Sequence, residues 1–255
     1  MNFRGLTRPR ALFMLGGVLS FLSLAGAAVA APPVISWSTS QNVGGHTYSS
    51  NAQVVNNNNN TWSIILQSTG DAASQNMHVL TGILWQDSFT GAYGKVDAVA
   101  GPGSSLLNDD NTAASGVVAQ HWGYNNNLGF GIFNQGVAAS GLGGLFGASS
   151  PFSGSGSPQG VDWGLVNGFG ATGIAGNQNP FIKNTGVFTF SGQVAASQFG
   201  SARFQYGSST TEPGFDVLPP SGTPLTPEIG GIYQIMAAGL PLIGVGIARR
   251  RRRTA

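Results

Sequence analysis

The chain predicts an all-β protein: one antiparallel β-sandwich or jelly-roll-like domain over residues 31–217, with an N-terminal signal peptide and a C-terminal transmembrane helix. Three observations lead there. Aromatic and β-branched residues recur in short runs, separated by Gly, Asn, Ser and Pro clusters that read as turns. Only 8% of residues are charged and 10% are aromatic, so the low charge does not signal disorder. No convincing amphipathic helix occurs in the body, although 106–119 leaves room for a short one.

The strands are expected in order. Val34–Thr39 opens the domain, and Thr61–Gln67 follows the polar Asn56–Asn60 loop. Met77–Trp85 alternates in part, and Val96–Ala100 ends at a Gly101-Pro102-Gly103 turn. Gly116–Trp122 and Leu128–Phe133 flank Gly123–Asn127, which reads as a hairpin loop. Val161–Val166, Phe181–Ser191 and Ser201–Tyr206 complete the set. Twelve glycines crowd residues 141–176, which reads either as a long loop or as close-packed turns and strand edges. Aromatics continue on both sides, so a single domain is favoured over two. Residues 218–225 are Pro-rich and predict an extended linker.

Both ends carry targeting character. Arg4, Arg8 and Arg10 precede an apolar stretch from Ala11 to Leu24, and Ala28-Val29-Ala30 supplies the small side chains of a cleavage site at Ala28 and Ala30. Residues 1–30 therefore read as a secretory signal. Near the other end, Thr226-Pro227-Glu228 leads into residues 229–248, in which Tyr233 and Gln234 are the only clearly polar side chains. Twenty helical residues span about 30 Å, the thickness of a bilayer core. Arg249, Arg250, Arg251, Arg252 and Arg253 then form a basic stop. Each would cost roughly 2.5–3.5 kcal/mol at mid-membrane, so the cluster stays cytoplasmic and the body lies outside.

Secretory signal, Pro-Glu dipeptide, apolar span and terminal arginine cluster occur in that order in residues 226–253 and at the N-terminus. The pattern resembles the PEP-CTERM group, the exosortase-sorted surface proteins of Gram-negative bacteria. The family usually carries Pro-Glu-Pro, and here Ile229 takes the place of the second proline. The resemblance implies processing near Thr226, Pro227 and Glu228 by an exosortase-type membrane protease-transpeptidase. It also implies transient anchoring in the inner membrane through 229–248, then delivery to the cell surface or extracellular matrix. A weaker resemblance to the bodies of some such proteins lies in Gly160–Val166, Val187–Gly192 and Phe204–Gly207 ahead of Glu212-Pro213. That group has no shared activity to transfer.

Charge and composition narrow the function further. Residues 31–227 hold three cationic against eight acidic side chains, a net charge of −5, so the basic character belongs to the two ends. Nucleic-acid binding needs a basic face and is not expected. Without cysteine, thiol catalysis and zinc–thiolate sites are excluded.

Motifs for catalysis are weak. Gly168–Gly173 matches G-x-G-x-x-G, but the following Ile174–Pro180 makes a poor helix start. Gly91-Ala92-Tyr93-Gly94-Lys95 fails as a phosphate loop, because Phe89 and Val96 stand where Gly and Ser/Thr belong. His46, His78 and His121 lack ligand spacing, and Asp109-Asp110-Asn111 reads as a solvated turn rather than a calcium loop. No cofactor and no metal are expected. Asp87, Asp162 and Asp216 are the carboxylates that a secreted hydrolase would need. Aromatic faces and amides make His121, Trp122 and Tyr124, followed by Asn125–Asn127, the candidate ligand-binding residues of a carbohydrate-binding module. The competing reading packs Trp122 in the core. The expectation is a non-catalytic surface or matrix protein with a structural or adhesive role in exopolysaccharide or biofilm, with that polysaccharide as a partner.

Overall fold

A computed structural model describes residues 33–218, apart from 155, 157, 159, 171, 172 and 175–179. The described fold is all-β. Its strands are β1 (Ile35–Val43), β2 (His46–Asn56), β3 (Thr61–Ser68), β4 (Leu80–Asp87), β5 (Lys95–Ala100), β6 (Leu106–Leu107) and β7 (Gly123–Asn125). They continue with β8 (Gln135–Ala138), β9 (Leu165–Val166), β10 (Phe181–Lys183), β11 (Thr185–Ser191), β12 (Phe199–Tyr206) and β13 (Gly214–Val217).

One sheet has the order β1-β2-β3-β11-β5. The other runs β13-β12-β4-β9-β10-β6, with β8 also on β4 and β7 on β8. Every strand pair is antiparallel except β9–β10, which is parallel, so the second sheet is mixed rather than purely antiparallel.

Residues of both sheets share one aromatic-rich core. Trp62, Ile64 and Phe190 come from the first sheet, and Ile83, Trp85 and Phe204 from the second. Polar ties cross that core: the Trp37 indole donates to the Gly200 carbonyl at 3.0 Å, and the Ser50 and Tyr206 hydroxyls bond each other. β4 is buried along nearly its whole length. Its Leu84 faces a second cluster of Leu128, Phe133, Ala138, Leu142 and Phe146, which covers the outer side of the sheet. A strand buried on both faces loses the strict alternation of a half-buried one, hence the partial pattern visible in the sequence.

The structure corrects several expected elements. β2 was not anticipated. Its inward side chains are Tyr48, Ser50, Ala52 and Val54, and the small ones make room for aromatics opposite while weakening the apolar signal. It joins β1 through Gly44-Gly45, both at positive φ (61° and 84°), the geometry of a two-residue hairpin. Gly116–Trp122 is not a strand but carries a short 3₁₀ turn at Val118–Gln120, and 128–133 is irregular. The short helix allowed for in 106–119 is absent; β6 and turns occupy that stretch up to the 3₁₀ turn. Phe181–Ser191 is two strands in different sheets. Asn184, at φ 67°, breaks it, and asparagine tolerates that left-handed conformation better than other side chains.

Among the described residues no helix is long and apolar enough to cross a membrane. The expected span 229–248, the processing residues Thr226, Pro227 and Glu228, the arginines 249–253, most of the linker and the cleavage residues Ala28 and Ala30 lie outside the described residues.

Candidate functional site

A cleft of roughly 310 Å³ opens where the loop before β5 meets the end of β7 and the turn at 147–150. Ala92, Tyr93, Lys95, Tyr124, Asn125, Asn126 and Ser149 are among its lining residues.

Its walls are fixed from below. Asp87, at the end of β4, is buried and accepts from the Trp85 indole at 3.2 Å, the Phe89 amide at 2.8 Å and the Tyr93 hydroxyl at 2.9 Å. The Tyr93 amide donates to the Tyr124 hydroxyl at 3.0 Å, and that hydroxyl donates to Gln135 Oε1. Gln135 Nε2 closes the ring on the Phe89 carbonyl at 2.7 Å. Burial, with the nearby Asp87 charge adding to it, pushes the Tyr124 hydroxyl up to about 12 against the opposing bond from Tyr93. Burial and Asp87 push Tyr93 upward as well. Both phenols therefore stay neutral donors at ordinary pH.

The far wall is clamped by Lys95. Its ammonium donates to the carbonyls of Ser149 (3.2 Å), Ser150 (3.2 Å) and Pro151 (2.6 Å). A lysine has three donors, so all are engaged. Partial burial holds its pKa below the ordinary lysine value. The Tyr124 amide reaches the same turn, donating to the Ser150 carbonyl at 2.8 Å.

The three residues anticipated as a binding face are split up. Trp122 is fully buried; its ring packs on Phe188 at 4.4 Å and its indole donates to the Trp163 carbonyl at 2.7 Å. It offers no face to a ligand, because an indole of that size is worth more inside the core than on the surface. His121 stacks flat on the Trp163 ring at 4.2 Å and is not among the residues lining the cleft. Tyr124 and the following asparagines do line the cleft, but Tyr124 is buried and contributes its hydroxyl to the network described above. From the earlier loop, half-buried Tyr93 and exposed Lys95 complete the wall. These residues stood out in the sequence only as a broken phosphate loop, and the sole hint was an aromatic and a cation spaced by glycines.

The three carboxylates do not assemble a hydrolase site. Asp87 lies at one end of β4, and Asp162 sits just before β9, which pairs with Leu80 at the other end. At ~3.3 Å per residue these ends are about 20 Å apart, beyond the roughly 5–9.5 Å of paired glycosidase carboxylates. Asp216, on β13, is held by Arg203 at 2.8 Å.

Two histidines do meet. His46 and His78 stack with ring centroids 3.6 Å apart and planes within 9°. His78 Nδ1 accepts the Ser74 amide at 3.3 Å, and Asp71 accepts the Thr47 amide at 2.7 Å beside them. Sequence spacing hid this pair because β2 and the turn before β4 are distant in the chain. Among the described residues no group of three or more His, Cys, Asp or Glu is placed to hold a metal. The Asp109–Asn111 segment is a turn: Asp110 accepts the Thr112 amide at 2.9 Å, and Asn111 has φ 64°. A second hollow of about 340 Å³ is lined by Ser74, Asn76, Met77 and Glu212, but Glu212 already accepts the amides of Ser208 and Ser209.

Fold and cleft together define an all-β protein with a small polar pocket at the rim of its sheets, with Lys95 as the charged side chain among its lining residues. No protein-family model matches the chain, and no similar curated protein or solved structure is found.

Proposed function

We propose that the protein is an exported, exosortase-processed surface or matrix protein whose β-sandwich body has a non-catalytic, structural or adhesive role in exopolysaccharide or biofilm. The observation that carries this reading is the C-terminal series of Pro227-Glu228, an apolar stretch and five arginines, in that order along the sequence and beyond a body whose last described strand ends at Val217. The body supports it: two sheets over one aromatic core make a rigid spacer, and Asp87 is satisfied by its neighbours rather than aimed at a cleft.

Intact mass of the protein from surface and medium fractions of its host tests the reading. A chain starting near Ala31 and ending near Thr226 is expected. Recovery only in the inner membrane, with Arg249–Arg253 still attached, would sink it.

A carbohydrate-binding module is the second reading. The observation favouring it is the cleft beside Tyr93 and Asn126, not the Trp122 face.

A further inference from the structure

We propose that the cleft between the Tyr93 loop and the 147–150 turn is a binding site for a single neutral sugar residue. This gives the adhesive role its ligand class and rests on that reading.

The groups left over in the cleft point to the ligand. Lys95 spends all three N–H donors on carbonyls, and the Asp87 carboxylate behind Tyr93 accepts from three donors, so both charged groups are already hydrogen-bonded within the protein. Asn125 is bound to the Leu145 carbonyl and the Asn127 amide. What remains is polar and neutral: the Asn126 amide and the Ser149 hydroxyl line the cleft without a hydrogen bond to any described residue.

The half-buried Tyr93 lines the same cleft, its ring backed by Trp62 at 4.7 Å and Phe89 at 4.9 Å. A ring of C–H groups packs on such an aromatic surface, while an amide and a hydroxyl match sugar hydroxyls as both donors and acceptors. A nucleotide or acidic sugar would find the Lys95 charge nearby but no N–H left on it to donate, in a body of net charge −5 over residues 31–227. The size agrees, because the cleft sits at the lower end of the roughly 300–1,000 Å³ of small-molecule sites and suits one ring rather than a chain. The hydrogen-bonded walls are already in place, so little ordering is lost on binding.

The test is titration of the purified protein with neutral methyl hexosides and methyl N-acetylhexosaminides, read by ligand-observed NMR. Methyl glucuronide is the charged control, and circular dichroism checks each variant's fold. Saturable binding of at least one neutral glycoside is expected, with Kd on the order of 1 mM. Asn126→Ala removes an amide that no described residue bonds, and is expected to weaken binding about 5-fold. Tyr93→Leu weakens it further, and His121→Ala leaves it unchanged. Should Tyr93→Leu fail to fold, Asn126→Ala decides. The proposal is overturned if no neutral glycoside saturates, if the glucuronide binds better, or if His121→Ala abolishes binding while Asn126→Ala does not. None of these outcomes touches the sorting reading, which the intact mass decides.

Discussion

Asn184 shows how much one backbone conformation decides. Its left-handed φ of 67° ends β10 and starts β11, sending the chain from one sheet to the other. The Asn184 amide donates to the Val166 carbonyl, and its carbonyl accepts the Ser68 amide, so the crossing is held on both sides. A β-branched residue there meets the steric cost of the left-handed region, about 1–2 kcal/mol. Asn184→Val is therefore expected to lower unfolding stability by that amount in chemical denaturation, and Asn184→Gly to leave it nearly unchanged. Trp122 makes the opposite point about side chains. It is fully buried against Phe188, so Trp122→Ala is expected to cost roughly 3–5 kcal/mol in the same assay. A surface stacking residue would instead lose binding and keep its stability.

At the scale of elements, the β1–β2 hairpin is joined to the turn before β4 by the His46–His78 stack. Burial lowers the pKa of both rings; for His78 the neighbouring His46 lowers it further, and Asp71 opposes the shift in each. His78 Nδ1 accepts the Ser74 amide and cannot do so once protonated. Tyr48 stands edge-on to both imidazoles. Burial raises the Tyr48 pKa, and Glu212, the other charged group near this contact, raises it further. The sign follows from proton binding. With folded pKa values below 6.5, the folded state binds fewer protons than the unfolded chain, so stability is complete above about pH 6.5 and falls as pH drops below it. Denaturation curves between pH 8 and 5 are expected to show that fall. The double variant His46→Gln/His78→Gln should show a shallower fall, keeping the part owed to His121, whose pKa burial also lowers. Equal slopes in both proteins would mean that the stack is not titrating.

For the whole molecule, the question is which properties belong to the chain and which to its folding. Turn residues, aromatic runs and the absence of amphipathic helix make the all-β class legible, and β1, β3, β5 and β12 fall close to their expected places. Their signal is local, because alternating apolar side chains on a pleated strand need no partner to be recognised. β2 escaped because Ser50 and Ala52 are small where aromatics from the facing sheet come in. The cleft was legible only in part. Asn125 and Asn126 advertise a polar loop, but nothing local says that Trp122 turns inward while Tyr93 and Lys95, some thirty residues earlier, supply the wall. The proposed targeting rests on apolar length and terminal charge, which are properties of the sequence alone. By itself, then, the chain determined its all-β class and its lack of thiol chemistry, and it carries the end patterns on which the proposed sorting rests. The pairing of distant strands, the burial of Trp122 and Asp87, the meeting of His46 with His78 and the existence of the cleft were decided only in three dimensions. Each of these depends on contacts between residues far apart in sequence, which no local pattern encodes.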